Sequence, residues 1–160
     1  MPNDATKKTA SARKYFLFMG VGVACVLVAV WLLWPRSTTT VRIGTAIITA
    51  HLAVTPGQQE AGLSNLPQIG ASEGMLFIFS NDAAREFWMK DMRFNIDIIW
   101  LDSNSRVVSA VESAAPSSYP KTFTSPNNVR YVLEVPAGTT KKYAISPGAA
   151  ATFSLPLLAR

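Results

Sequence analysis

Four carboxylates in the second half of the chain, Asp91, Asp97, Asp102 and Glu134, could carry acid–base chemistry. Two of them flanking a glycosidic bond would suit a hydrolase, but nothing in their spacing sets a separation. The stretch REFWMKDMRFNIDIIWLD, residues 85–102, also sets Lys90, Asp91, Arg93 and Asp97 among large apolar side chains. With strands over 86–92 and 96–101 joined by a two-residue turn at Arg93-Phe94, Lys90 falls opposite Asp97. Both then share a face with Trp88 and Ile99, and a register slip of one residue breaks the pairing. An interior face demands that the charges pair, because an isolated buried ion costs several kcal/mol. The first expectation is therefore a structural brace between Lys90 and Asp97. The second is a pocket floored by Trp88 into which one of them points to hold a polar ligand, and the third is acid–base catalysis. Glu134, inside Tyr131-Val-Leu-Glu-Val135, reads as an exposed strand charge or as a partner for Arg130 or Lys90.

Other chemistries find few residues. His51 is the single histidine, and no cysteine follows Cys25, so an ordinary zinc site is not expected. His51 lies opposite the apolar set of its strand and reads as a surface or packed side chain. Asp102-Ser-Asn-Ser-Arg106 begins like a calcium loop, but the sixth position is not glycine and the twelfth, Ser113, is no acid. There is no Gly-x-Ser-x-Gly elbow and no glycine-rich phosphate loop. No cofactor is expected. Trp88, Trp100, Tyr119, Phe123 and Tyr131 could line a sugar or peptide groove, although aromatic residues at strand spacing commonly belong to a core.

These residues need strands to position them. Residues 41–54 are rich in β-branched side chains, with Ala46, Ile48, Ala50, Leu52 and Val54 at period 2, which predicts one strand. Thr55-Pro56-Gly57-Gln58 supplies an N-cap, a proline at the first helical position and a capping-box glutamine, so a short helix closed by Gly62 should follow. Further strands are expected at 75–79, 86–92, 96–101, 107–111, 129–135 and 150–155, with a hairpin turn at 102–105. Residues 114–128 should be irregular, and Thr139 should cap a second short helix. Many short strands with little helix predict a mainly β domain, a compact sandwich or a partly closed barrel.

Ahead of this domain lies YFLFMGVGVACVLVAVWLLW, 20 residues without charge or proline at 15–34. As a helix it spans about 30 Å, the hydrocarbon thickness of a bilayer. Lys7, Lys8, Arg13 and Lys14 precede it, which predicts a cytoplasmic N-terminus and an extracytoplasmic remainder. The run exceeds a signal-peptide core and ends in Trp-Leu-Leu-Trp-Pro-Arg, so an uncleaved anchor is expected. The expected organisation is a basic segment over 1–14, a transmembrane helix over 15–34, a linker over 35–43 and a β-rich domain over 44–158. Residues 1–36 hold five of the 15 bases and one of the ten acids, leaving residues 37–160 at a net +1. The high isoelectric point belongs to the membrane flank and makes no case for nucleic acid.

The motifs GMLFIF at 74–79, FWMKDM at 87–92, DIIWLD at 97–102 and YVLEVPAG at 131–138, with TPGQQEAGLS at 55–64, resemble the family of domain of unknown function 192, DUF192. YPKTF at 119–123 resembles the loop of its membrane-tethered members. The resemblance covers residues 44–155 and implies a compact, mostly β single domain with no established activity or cofactor. Family members usually carry an arginine shortly after Gly-Leu-Ser/Met, where this chain has Leu66, and tend to end in Gly-Asp, where it has Gly148-Ala149. If that arginine binds an anion, Gln59 and Lys90 are the remaining candidates here. The combined expectation is a membrane-anchored, non-catalytic binding or envelope-associated module taking a small molecule, glycan or peptide near Gln59, Trp88, Lys90, Asp97 and Glu134. The alternatives are an envelope polymer hydrolase or lyase using Asp91, Asp97 or Glu134, and a structural partner of another membrane protein.

Overall fold

A computed structural model describes residues 37–156. The expected basic segment and transmembrane helix lie outside these residues. No helix among the described residues is long and apolar enough to cross a membrane. The strands are β1 (Thr38–Ile43), β2 (Ala46–Ala53), β3 (Glu73–Ala83), β4 (Glu86–Trp88), β5 (Ile96–Leu101), β6 (Val107–Ala114), β7 (Thr122–Thr124), β8 (Val129–Pro136) and β9 (Ala151–Thr152). The α-helices are α1 (Pro56–Ala61) and α2 (Thr139–Lys142), and a 3₁₀ turn spans Pro116–Ser118.

Seven strands form one sheet in the order β6-β5-β8-β3-β2-β1-β9, while β4 and β7 pair separately. The large sheet curls into a half-barrel rather than a sandwich. Its two edges meet at one end, where Arg106 bridges Ala150 and the Ala151 amide donates to the Ser105 carbonyl at 2.8 Å. The inside of the curl holds one core, with Val41, Ile43, Ile48, Leu76, Ile99 and Leu133 among its buried side chains. A second core, containing Leu63, Phe77, Met89, Ile98, Trp100 and Val132, lies on the other face of β3, β5 and β8. All six residues of β5 are buried because it has a core on both sides. That explains why its sequence is nearly unbroken apolar instead of alternating. β1 alternates strictly between exposed and buried, as a strand with one solvated face must.

Several expected elements change shape. The strand foreseen over 41–54 is two, folded back at Gly44, where φ is +58° and Ile43 pairs with Ala46. β3 runs well beyond 75–79 and the last strand shrinks to two residues. The segment 114–128 is not wholly irregular, since β7 pairs Phe123 with Phe87. Gly138, not Thr139, occupies the N-cap of α2. The turn at 102–105 forms, with the Asp102 carboxylate accepting from the Asn104 and Arg106 amides at 2.9 and 2.8 Å.

Helix α1 follows its sequence signals closely. Thr55 Oγ1 accepts from the Gln58 amide at 3.3 Å, and Gln58 Oε1 accepts from the Thr55 amide at 3.0 Å. The helix buries none of its own residues. The Gln59 amide anchors it instead, donating to the carbonyls of Ile78 (2.8 Å) and Ala53 (3.3 Å). Leu63, just past Gly62, is then fully buried in the second core.

Gly74 is required by the sheet itself: a Cβ there would sit 2.5 Å from the Glu134 backbone oxygen. Backbone cannot yield as a flexible side chain can, so Gly74→Ala must push β3 from β8. We expect a loss on the order of 3 kcal/mol, read as a lowered midpoint of urea unfolding. An unchanged midpoint would contradict this packing.

Candidate functional site

The proposed hairpin between residues 86–92 and 96–101 does not form. β4 ends at Trp88 and pairs with β7, whereas β5 lies between β6 and β8 in the large sheet. Lys90 is exposed and Asp97 is fully buried, so the expected ion pair between them is absent. The physical reason is that β5 finds two long antiparallel partners in the main sheet, against which a short hairpin with β4 cannot compete.

Asp97 is nevertheless a brace, to backbone rather than to lysine. Alternation places it on the face of Ile99 and Leu101, inside the curl. One carboxylate oxygen accepts from the amides of Ser113 (2.8 Å) and Gly138 (3.1 Å). The other accepts from the amide and the hydroxyl of Thr140, both at 2.8 Å. β6 bulges opposite Asp97, with Ser113 at φ +51°, and the carboxylate takes up that amide. It also ties down the start of α2. Ser113 and Thr140 were not foreseen as its partners. The only signal for them is that a buried Asp needs donors and that Gly138-Thr-Thr140 opens a helix with free amides.

On the opposite face of the sheet, a cavity of about 280 Å³ opens between α1, β3, β4 and β8. Four of the five sequence candidates line it: Gln59, Trp88, Lys90 and Glu134. Glu134 shares the face of Val132, and strand pairing sets it between Met75 and Ile98. Phe77, Phe79 and Phe87 form apolar walls, with Phe87 edge-on to Phe77 at 4.8 Å and to Trp100 at 5.3 Å. Gly62, at φ +49°, comes so close that a Cβ there would lie 3.7 Å from Glu134 Oε2. Trp88, 48% exposed, stands at the mouth with Lys90, Glu60 and Glu86. A second groove of about 270 Å³ shares Trp88, Lys90 and Glu60 and adds Asp91.

Glu134 is the unusual group. It is only 4% exposed, and its Oε2 is buried without a hydrogen-bond partner. Neither suggested partner reaches it: Arg130 bonds to Asp82, drawing that carboxyl below its ordinary range, and Lys90 forms no bridge with it. Burial in this apolar surround pushes the Glu134 carboxyl up to about 8. At neutral pH it is therefore mostly a carboxylic acid, able to donate one hydrogen bond. An unsatisfied buried carboxyl facing a cavity is a functional-site signature. Among the described residues, no three His, Cys, Asp or Glu side chains gather as a metal cluster. His51 is half-buried on β2, with its Nδ1 unpartnered.

Sequence reasoning missed Gly62, Phe77, Phe87, Glu60 and Glu86 as parts of this site. Glu134 alternates with Leu133 and Val135, and Phe77 with Leu76 and Ile78, but only the β3–β8 pairing puts the two on one face.

A protein from Sinorhizobium meliloti 1021, provisionally named a transcription regulator, is similar in structure, with a TM-score of 0.70 and 33% identity over 74% of this chain and 95% of that one. A protein of unknown function from Novosphingobium aromaticivorans DSM 12444 is similar too, with a TM-score of 0.66 and 27% identity over 72% of this chain and 83% of that one. No curated protein matches the sequence. Residues 39–153 match the model of DUF192, described as "Uncharacterized ACR". That span takes in every strand from β2 to β9 and both walls of the cavity, and the chain belongs to the DUF192 family.

Proposed function

We propose that this domain is a non-catalytic binding module that takes a small molecule in the cavity above Glu134. In this reading the segment 15–34 anchors it in the cytoplasmic membrane and the domain works on the extracytoplasmic side. The observation that carries the binding reading is the buried, unpartnered Glu134 oxygen in an aromatic cavity, a group left waiting for something outside the chain. The volume, about 280 Å³, is at the small end of ligand pockets, suiting a head group rather than a polymer strand. Support for the anchor is the uncharged run of 20 residues and the basic flank before it.

The test is a thermal melt of the full chain in mild detergent across glycans, short peptides, amines and inorganic ions. A true ligand at about 100 times its Kd adds about 2.7 kcal/mol, a rise of several degrees that Trp88→Ala should diminish. A panel without any saturable shift would remove the binding reading. The alternative of an envelope polymer hydrolase or lyase retains Glu134, a neutral acid of the kind that protonates leaving groups. It gains nothing from Asp97, whose oxygens are all engaged on the other face of the sheet. Its mark would be polymer turnover that Glu134→Gln abolishes without loss of fold. A purely structural partner would show neither response.

A further inference from the structure

We infer that the ligand is an organic cation, an alkylammonium or guanidinium head seated between the aromatic walls and the Glu134 carboxylate. This rests on the binding reading above and names the chemistry it serves. The argument begins with the charges. Glu60 on α1, Glu86 on β4 and Glu134 on β8 line the cavity against Lys90 alone, and the adjoining groove adds Asp91. An anion would meet three acids and one base. A neutral ligand could hydrogen-bond to these groups but would leave the excess of negative charge uncompensated.

The walls point the same way. Phe77, Phe87 and Trp88 line the cavity with aromatic rings, whose negative faces attract cations. Phe79 shows the same attraction within the chain, with the Arg85 guanidinium 4.0 Å from its ring centre. Glu134 supplies the remaining piece. Its Oε2 has no donor from the chain, and in a low-dielectric floor a carboxylate becomes favourable only when a positive charge arrives.

Binding then carries a proton balance. The free site holds Glu134 protonated at neutral pH; when the cation enters, the carboxyl O–H loses its proton to solvent and the carboxylate pairs with the ligand. The other groups facing the site, Glu60, Glu86, Asp91 and Lys90, are all exposed at its mouth, while Gln59 is committed to two backbone carbonyls.

The experiment is calorimetric titration of the full chain in mild detergent with agmatine, spermidine and choline. Methyl glucoside and acetate serve as the neutral and anionic comparisons. Each titration is run in two buffers that differ widely in ionisation enthalpy. At pH 6.5 the expected result is release of close to one proton per bound cation. Affinity for choline, whose charge does not change with pH, should rise about tenfold from pH 6.5 to 7.5 and flatten above about 8. Glu134→Gln should abolish the proton release and the pH dependence and weaken cation binding at least tenfold, while its melt shows it folded. The three cations separate guanidinium, amine and quaternary preferences within the one class. Cation binding without proton release, or unchanged in Glu134→Gln, would overturn the inference. Saturable binding of methyl glucoside or acetate alone would overturn it too, yet leave the binding module standing. If no probe binds and the wider melt panel is also silent, both fall together.

Discussion

Glu134→Gln should melt higher than the parent protein at pH 7.5, by 5–10 °C on an order-of-magnitude reckoning, and no higher than it at pH 4. The sign follows from where the carboxyl titrates. In the unfolded chain it ionises near its ordinary 4.5, whereas in the folded protein burial holds it to about 8. Between those values the unfolded state has lost a proton that the folded state keeps, so unfolding becomes easier by about 1.4 kcal/mol for each pH unit. Stability from this group is complete below about 4.5, declines as pH rises towards 8, and is level above that, where both states are ionised. By pH 7.5 the penalty is at most about 4 kcal/mol. Glutamine has the same shape and no ionisation, so it removes the penalty. Its amide brings donors into the same unpartnered space, which offsets roughly 1 kcal/mol or more. Other carboxylates titrate alike in both proteins, so the difference between two melting curves across pH isolates Glu134. Parallel curves, or a variant weaker at every pH, would contradict the burial argument. A residue whose removal stabilises the fold is what a binding site predicts, since natural sites commonly sacrifice stability for function.

Asp97→Asn should have the opposite effect, a loss on the order of 3–5 kcal/mol and a melting point lower by roughly 10 °C or more. Asp97 is an acceptor for four donors: the amides of Ser113, Gly138 and Thr140, and the Thr140 hydroxyl. Asparagine turns one oxygen into a donor group, which would face donors whichever way the amide is turned. At least one strong bond disappears and buried N–H groups lose their acceptor. Lys90→Met, by comparison, should change stability by less than about 0.5 kcal/mol, because Lys90 is exposed and makes no bridge to Asp97. Two denaturant titrations decide the matter. Equal losses in both variants would restore a Lys90–Asp97 pair. A large loss in Asp97→Asn alone, with faster hydrogen exchange at the Ser113 and Thr140 amides, identifies the backbone brace.

Local signals were readable wherever they arise from neighbouring residues. The capping box at Thr55 and Gln58, the turn at 102–105 and the β-branched runs are set within a few residues, and each forms. Of the candidate site residues, Gln59, Trp88, Lys90 and Glu134 line one cavity, while Asp97 lies on the other face of the sheet. The failures share a cause. Pairing 86–92 with 96–101 assumed that strands adjacent in sequence are adjacent in the sheet. β5 instead lies between β6 and the distant β8, whose Val135 pairs with Asp97. That choice places Asp97 on one face and Glu134 on the other.

What the sequence determined by itself was the kind of object: a mainly β domain of the DUF192 family, its short helices, and two carboxylates, Asp97 and Glu134, set within apolar runs. Tertiary structure alone decided which of those residues are braces and which face a cavity. Two carboxylates in similar apolar runs differ in role because curling the sheet gives Asp97 four donors and Glu134 none for its buried oxygen. Hydrogen-bond satisfaction depends on what arrives from distant parts of the chain, and a residue's own neighbours in sequence do not carry that information.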